Sequence, residues 1–133
     1  MATKNSKILL VDDNVAGAQT MGLLLSMTGA TVDLASSGEE ALSKARQGDY
    51  TAAILDISLP DISGCEVADR IRRDKRGATP LLIALSGWGA DTCPIGYGEG
   101  LFDFFLTKPV NYDDLERILS GSKKGQKSGN SPS

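Results

Sequence analysis

Four positions in this 133-residue chain place polar residues directly behind short apolar runs. Asp12 and Asp13 follow Ile8-Leu9-Leu10-Val11. Asp56 closes Ala52-Ala53-Ile54-Leu55. Ser86 follows Leu81-Leu82-Ile83-Ala84-Leu85, and Lys108 follows Phe104-Phe105-Leu106-Thr107. Three carboxylates, a hydroxyl and an ammonium form a set suited to phosphoryl transfer onto a carboxylate. Crowded carboxylates repel one another and hold protons more tightly. A hard divalent cation relieves that crowding, and Mg²⁺ favours a few carboxylates combined with water and phosphate oxygens. Asp56 can then act as the nucleophile and form an acyl phosphate. The cation, the Lys108 ammonium and the Ser86 hydroxyl would bind the phosphoryl oxygens and spread the transition-state charge. Gly87, beside Ser86, leaves room for the incoming group and offers a backbone N–H.

These residues converge only if the elements before them are parallel strands. Residues 7–11, 52–56, 80–85 and 102–107 read as strands, and the run ending at Asp56 is apolar throughout, as in a strand covered on both faces. Residues 30–35 alternate and read as a more exposed strand. Residues 15–28 carry Val15, Ala18, Met21, Leu24 and Leu25 at helical spacing, with Asn14 as N-cap and Gly29 as terminator. Ser37 followed by Glu40 is a capping box for a helix running to Gln47 and stopping at Gly48. Residues 60–64 read as a loop, residues 66–73 as a helix with basic residues at its end, and residues 111–119 as a final helix. Strands alternating with helices imply a doubly wound α/β fold with a parallel sheet, and the length suits the five-strand order 2-1-3-4-5. In such a sheet all four polar positions lie at the carboxyl ends of strands, around one crevice.

Composition narrows the function further. The net charge is −3, and the residues after Ser120 include three lysines and no acid, so the rest of the chain is more acidic still. An acidic body argues against a nucleic-acid surface. No apolar run is long enough to span a membrane, and residues 1–6 lack a signal peptide's apolar core, which points to the cytoplasm. With no histidine in the chain, any histidine chemistry must come from a partner. Cys65 and Cys93 show no CxxC spacing, so reduced, inert thiols are the default expectation. The organisation expected is a short tail over residues 1–6, one domain over 7–120, and a disordered Ser/Gly/Lys-rich tail over 121–133.

Residues 7–119 resemble a response-regulator receiver domain. The likeness rests on Val11-Asp12-Asp13, Ile54-Leu55-Asp56 with Leu59-Pro60-Asp61 and Gly64, Ala84-Leu85-Ser86-Gly87, and Lys108-Pro109, all in order and at the usual spacing. It implies a flavodoxin-like fold, with Asp56 as the phosphoacceptor from a partner's phosphohistidine. Asp12 and Asp13 would hold Mg²⁺, with Asp56 and the Ser58 backbone carbonyl completing the protein ligands. Ser86 would swing toward the phosphoryl group, Lys108 would pair with Asp56, and the Lys108-Pro109 peptide would be cis. The implied partners are a sensor histidine kinase or a histidine phosphotransfer protein, and a downstream protein target, with neither nucleic acid nor membrane. The resemblance also implies a module that accepts a phosphoryl group rather than an enzyme, here a stand-alone receiver.

The aromatic switch position falls on Phe105, which has no hydroxyl, so switching there would rest on packing. Residues 89–100 contain four glycines and a proline, which predicts a short or irregular fourth helix. Trp88, two residues past Ser86, is either a packing residue or a gate against water. A phosphatase of the haloacid-dehalogenase type would need a second carboxylate where Asp56-Ile57-Ser58 has serine. A flavin carrier would need a phosphate-binding loop where Asp12-Asp13 would repel phosphate. A degenerate receiver that binds its target without phosphorylation is the remaining alternative.

Overall fold

A computed structural model describes residues 6–74, 79–87 and 100–120. Five strands form one parallel sheet in the order β2-β1-β3-β4-β5. They are β1 (Lys7–Val11), β2 (Thr31–Ala35), β3 (Ala52–Asp56), β4 (Leu81–Ser86) and β5 (Phe104–Thr107). The helices among the described residues are α1 (Val15–Ser26), α2 (Gly38–Gln47), α3 (Gly64–Asp74) and α4 (Tyr112–Ser120). The fold class and strand order are those expected from the sequence.

Every residue of β3 is buried, which accounts for its unbroken apolar run. Its side chains alternate between two cores. Ala53 and Leu55 join Leu9, Val11, Ala41, Leu42, Val67 and Ile71 beneath α2 and α3. Ala52 and Ile54 join Ile8, Leu10, Ala18, Leu25, Leu115 and Leu119 beneath α1 and α4. Leu55 and Ile54 are both fully buried, each contributing about 1.5–3 kcal/mol of hydrophobic stabilisation. β2 is an edge strand with a largely half-buried pattern, as its alternation foretold.

The helix boundaries follow their caps, with some departures from expectation. Asn14 Oδ1 accepts from Gly17 N at 3.1 Å and starts α1. Gly29, at φ 102°, turns the chain just past its end. The inward face of α1 is Ala18, Gly22 and Leu25, whereas Val15 and Leu24 are exposed. Gly22 faces the sheet because an added Cβ would meet Leu34 at 3.3 Å and Val32 at 3.5 Å. At α2, Ser37 Oγ accepts from Glu40 N at 3.1 Å. The Glu40 carboxylate returns to Ser36 N at 2.9 Å instead of to Ser37, so the box is displaced by one residue. That backbone hydrogen bond is the main reason the Glu40 carboxyl sits below its ordinary pKa, and burial only partly opposes it.

α3 begins at Gly64, so residue 64 belongs to the helix and not to the loop expected over 60–64. Ser63 caps it by accepting from Glu66 N at 3.2 Å. Cys65 is fully buried and disulfide-bonded, which corrects the expectation of a reduced thiol there. Cys93, Trp88 and the expected irregular segment over 89–100, apart from Gly100, lie outside the described residues, as do both expected tails apart from Ser6.

Candidate functional site

The parallel registers bring the expected residues to one edge of the sheet. Val11 pairs with Leu55, so Asp12 and Asp56 leave neighbouring strands at nearly the same level. Asp56 pairs with Leu85, one residue before Ser86, and Ser86 pairs with Thr107, one residue before Lys108. Backbone bonds fix these ends: Asp12 N to Ala35 O at 3.0 Å, Ile57 N to Leu85 O at 3.0 Å, and Lys108 N to Ser86 O at 2.7 Å. The Lys108-Pro109 peptide is cis, as the resemblance implied.

Asp12, Asp56 and Ser86 are the buried polar residues among those described. Each has a structural reason to tolerate burial. Asp56 Oδ1 accepts from Ser58 N at 3.0 Å and Oδ2 accepts from Lys108 Nζ at 2.8 Å. Asp12 Oδ1 accepts from Asn14 N at 2.9 Å, and Asp12 Oδ2 lies 3.1 Å from the same Lys108 Nζ. Lys108 therefore bridges the two buried carboxylates, while Asp13 stands exposed at the rim. Ser86 has interaction partners in the folded chain and ends its strand beside Asp56.

One carboxylate oxygen each from Asp12, Asp13 and Asp56 lies within 4.8 Å of the others. Three acids against one ammonium leave the cluster electron-rich. Its donors are all hard oxygens, a set that suits Mg²⁺ and not a thiophilic or imidazole-seeking metal. Burial pushes the Asp56 carboxyl above its ordinary pKa. The Lys108 ammonium and Ser58 N–H pull it down, and the Asp12 charge adds to the rise. Burial also works against the Lys108 ammonium, but its hydrogen bonds to Asp56 and Asp12 outweigh that and hold its pKa above the ordinary lysine value. The two rises are compatible: Asp56 is the more deeply buried group, and Lys108 has two carboxylates to serve. A cavity of about 630 Å³ opens beside Asp12 and Lys108, walled by Leu10, Ala18, Met21, Leu85 and Pro109.

Phe105 does not enter this pocket. Lying on β5, it pairs with Ala84 of β4, is 55% exposed, and meets Phe102 edge-on with ring centroids 5.4 Å apart. Phe102 is buried and Phe104 packs against the α1/α4 core, so two of the three phenylalanines serve packing. Sequence reasoning quoted Asp61 and Gly64 as part of the resemblance but gave neither a role in the architecture of the site. A Cβ on Gly64 would collide with the Asp56 carbonyl oxygen. Asp61 accepts from Gly38 N and Glu39 N, both at 2.8 Å. A glycine and an aspartate just past β3 were the available signals.

A doubly wound sheet with an acid cluster and a lysine at its carboxyl edge defines a signalling receiver module. The chain belongs to the response regulator receiver domain family, which matches residues 8–120. Receiver domains of this family are phosphorylated by histidine kinases in two-component systems, bind Mg²⁺ at an acidic pocket, and are signalling domains rather than classical enzymes. The transcriptional regulatory protein TcrA of Mycobacterium tuberculosis is 39% identical over 120 residues, covering 90% of this chain. The chain spans about half the length of that relative, 47%. A CheY-like receiver domain from Methylobacillus flagellatus superposes with a TM-score of 0.80 at 33% identity, covering 90% of this chain and all of its own. TrrA from Thermotoga maritima, solved with Mg²⁺-BeF, superposes with a TM-score of 0.77 at 33% identity, covering 87% of this chain and 97% of its own. TrrA has also been solved in complex with the histidine kinase ThkA (TM-score 0.75, with the same identity and coverage). Among the described residues, no helix is long and apolar enough to cross a membrane.

Proposed function

We propose that Asp56 accepts a phosphoryl group from a phosphohistidine on a partner kinase or phosphotransfer protein, and that the resulting acyl phosphate changes how the domain binds a downstream protein. The observation that carries this reading is the buried Asp56 carboxylate, bonded by Lys108 at 2.8 Å within a cluster of three acids. An Asp56 oxygen attacks phosphorus, the P–N bond of the phosphohistidine breaks, and the imidazole leaves with the partner. Asp12, Asp13, Asp56 and the Ser58 backbone carbonyl would hold Mg²⁺. When bound, that ion supplies charge neutralisation between the carboxylates and the incoming phosphoryl oxygens. Lys108 stays beside Asp56 and takes up charge on the transferred group, and Ser86 offers its hydroxyl to the same group.

Ser86 and Phe105 would transmit the change, Ser86 by turning toward the phosphoryl group and Phe105 by repacking against Phe102. TrrA supports both the cation and the partner in this reading, through its structures with Mg²⁺-BeF and with a histidine kinase. The same reading places the domain in the cytoplasm, where such donors act.

Intact mass of the wild type and of Asp56→Asn, after incubation with a small phosphodonor with and without Mg²⁺, tests the proposal. A Mg²⁺-dependent gain of one phosphoryl group in the wild type alone is the expected result. No gain in the wild type with Mg²⁺ present would instead identify a binding module that works without phosphorylation.

A further inference from the structure

The loop between β3 and α3 carries the Ser58 carbonyl, and its two ends are held differently. The inner end is tied by backbone bonds, Ile57 N to Leu85 O at 3.0 Å and Gly64 N to Ile57 O at 2.9 Å. The outer end reaches across to the start of α2. There, Asp61 Oδ1 and Oδ2 accept from Gly38 N and Glu39 N, both at 2.8 Å, across more than 20 residues of chain. Ile62 lies directly over Gly38, where any side chain would collide with it. Ser37 already satisfies Glu40 N. Asp61 therefore completes the capping of α2 from outside the helix, with an anion at the positive end of its dipole.

We propose that Asp61 is a positioning residue for the cation site. By binding both oxygens to the first N–H groups of α2, it fixes the outer end of the loop that presents the Ser58 carbonyl beside Asp56. This inference rests on the function proposed above and deepens it, because it makes α2 part of the cation site's support. By linkage, a clamp that favours cation binding is itself tightened when the cation binds.

The test uses the full chain and Mg²⁺ alone as the probe. Calorimetric titration gives the Mg²⁺ dissociation constant of the wild type, Asp61→Ala and Asp61→Asn. Amide exchange at Gly38 and Glu39 is followed with and without Mg²⁺. Asp61→Ala is expected to weaken Mg²⁺ binding about tenfold, as loss of outer support typically does. Asp61→Asn keeps one acceptor and loses less. Mg²⁺ slows exchange at the two amides in the wild type and has no such effect in Asp61→Ala.

An unchanged dissociation constant in Asp61→Ala, with both amides deprotected, would reduce Asp61 to a structural cap. Equal losses in Asn and Ala would assign the effect to long-range charge and overturn the clamp. Should Asp61→Ala fail to fold, the wild-type amides still decide, since no response to Mg²⁺ at Gly38 and Glu39 overturns the coupling. A wild type that binds no Mg²⁺ at all refutes the phosphoacceptor reading itself, which separates the two failures.

Discussion

Lys108 Nζ donates to Asp56 Oδ2 at 2.8 Å across 52 residues of chain, and the same ammonium lies 3.1 Å from Asp12 Oδ2. The lysine thus occupies the space between two acids that would otherwise face each other unscreened. Its charge stands in for part of what a divalent cation would provide.

Lys108→Met separates these roles. Removing one partner of a buried pair leaves the others unpaired, and about 1–3 kcal/mol of stability is expected to go, discounted because the lysine side chain is 28% exposed. Mg²⁺ should restore much of that loss, because it neutralises the same carboxylates. Phosphorylation of Asp56 should slow by roughly 10²–10³-fold, as when a preorganised charge donor is deleted. Urea unfolding with and without Mg²⁺, and the rate of phosphoryl gain by mass, check both expectations.

Asp13→Asn should act in the opposite sense on stability. Its carboxylate lies within 4.8 Å of two others and has solvent on one side. Relieving that repulsion stabilises the metal-free protein by about 1 kcal/mol once solvent screening is counted. The same change should weaken Mg²⁺ binding by at least tenfold, and a destabilised variant with intact Mg²⁺ affinity would contradict the assignment. Sites that hold charge for function commonly cost stability in this way.

Gly64→Ala tests the packing of α3 on β3. The new methyl collides with the Asp56 carbonyl oxygen, and overpacking of this kind costs about 1–3 kcal/mol. The displaced atom belongs to Asp56, the proposed acceptor, so on that reading phosphorylation should fall together with the melting temperature. Gly22→Ala is the control: it meets only side chains at 3.3 Å and beyond, far from the acids, and should leave phosphorylation unchanged.

The Asp61 clamp predicts a pH dependence. Hydrogen bonds from Glu39 N and Gly38 N hold the Asp61 carboxyl below its ordinary pKa. A depressed folded-state pKa stabilises the fold above the unfolded value and loses that contribution as pH falls through the folded value. The stability gap between wild type and Asp61→Asn should be constant above about pH 5 and close at pH values below about 4, the ordinary aspartate range. Denaturant unfolding across that window measures it, and a gap that widens toward acid would exclude the clamp.

Much of the fold was legible because buried parallel strands write themselves as apolar runs, and β3 is the clearest case. The acids and the lysine were legible because each stands where such a run stops. Helix faces were less so. Periodicity alone placed Val15 and Leu24 inward on α1, while the structure turns Gly22 to the sheet, where a Cβ would come within 3.3 Å of the Leu34 side chain. Gly64 read as a loop residue because its propensity says nothing about the carbonyl beneath it. The Asp61 contact with α2 joins residues more than 20 apart, and no local pattern encodes such a meeting. The bonded state of Cys65 was equally hidden, since spacing distinguishes metal and redox motifs but not a pairing set by the tertiary structure.

The register between β1 and β3 has a consequence for when the protein can signal. Asp12 follows β1 and Asp56 ends β3, two strands that pair although α1, β2 and α2 lie between them in the chain. Closing that non-local ladder is a slow, entropically costly step in folding. Until it is complete, the acids are scattered along an open chain and there is no pocket for a donor to address. On the proposed reading, an incompletely folded copy, whether newly made or partly unfolded, is therefore silent by construction, and a phosphorylated pool would report finished molecules only.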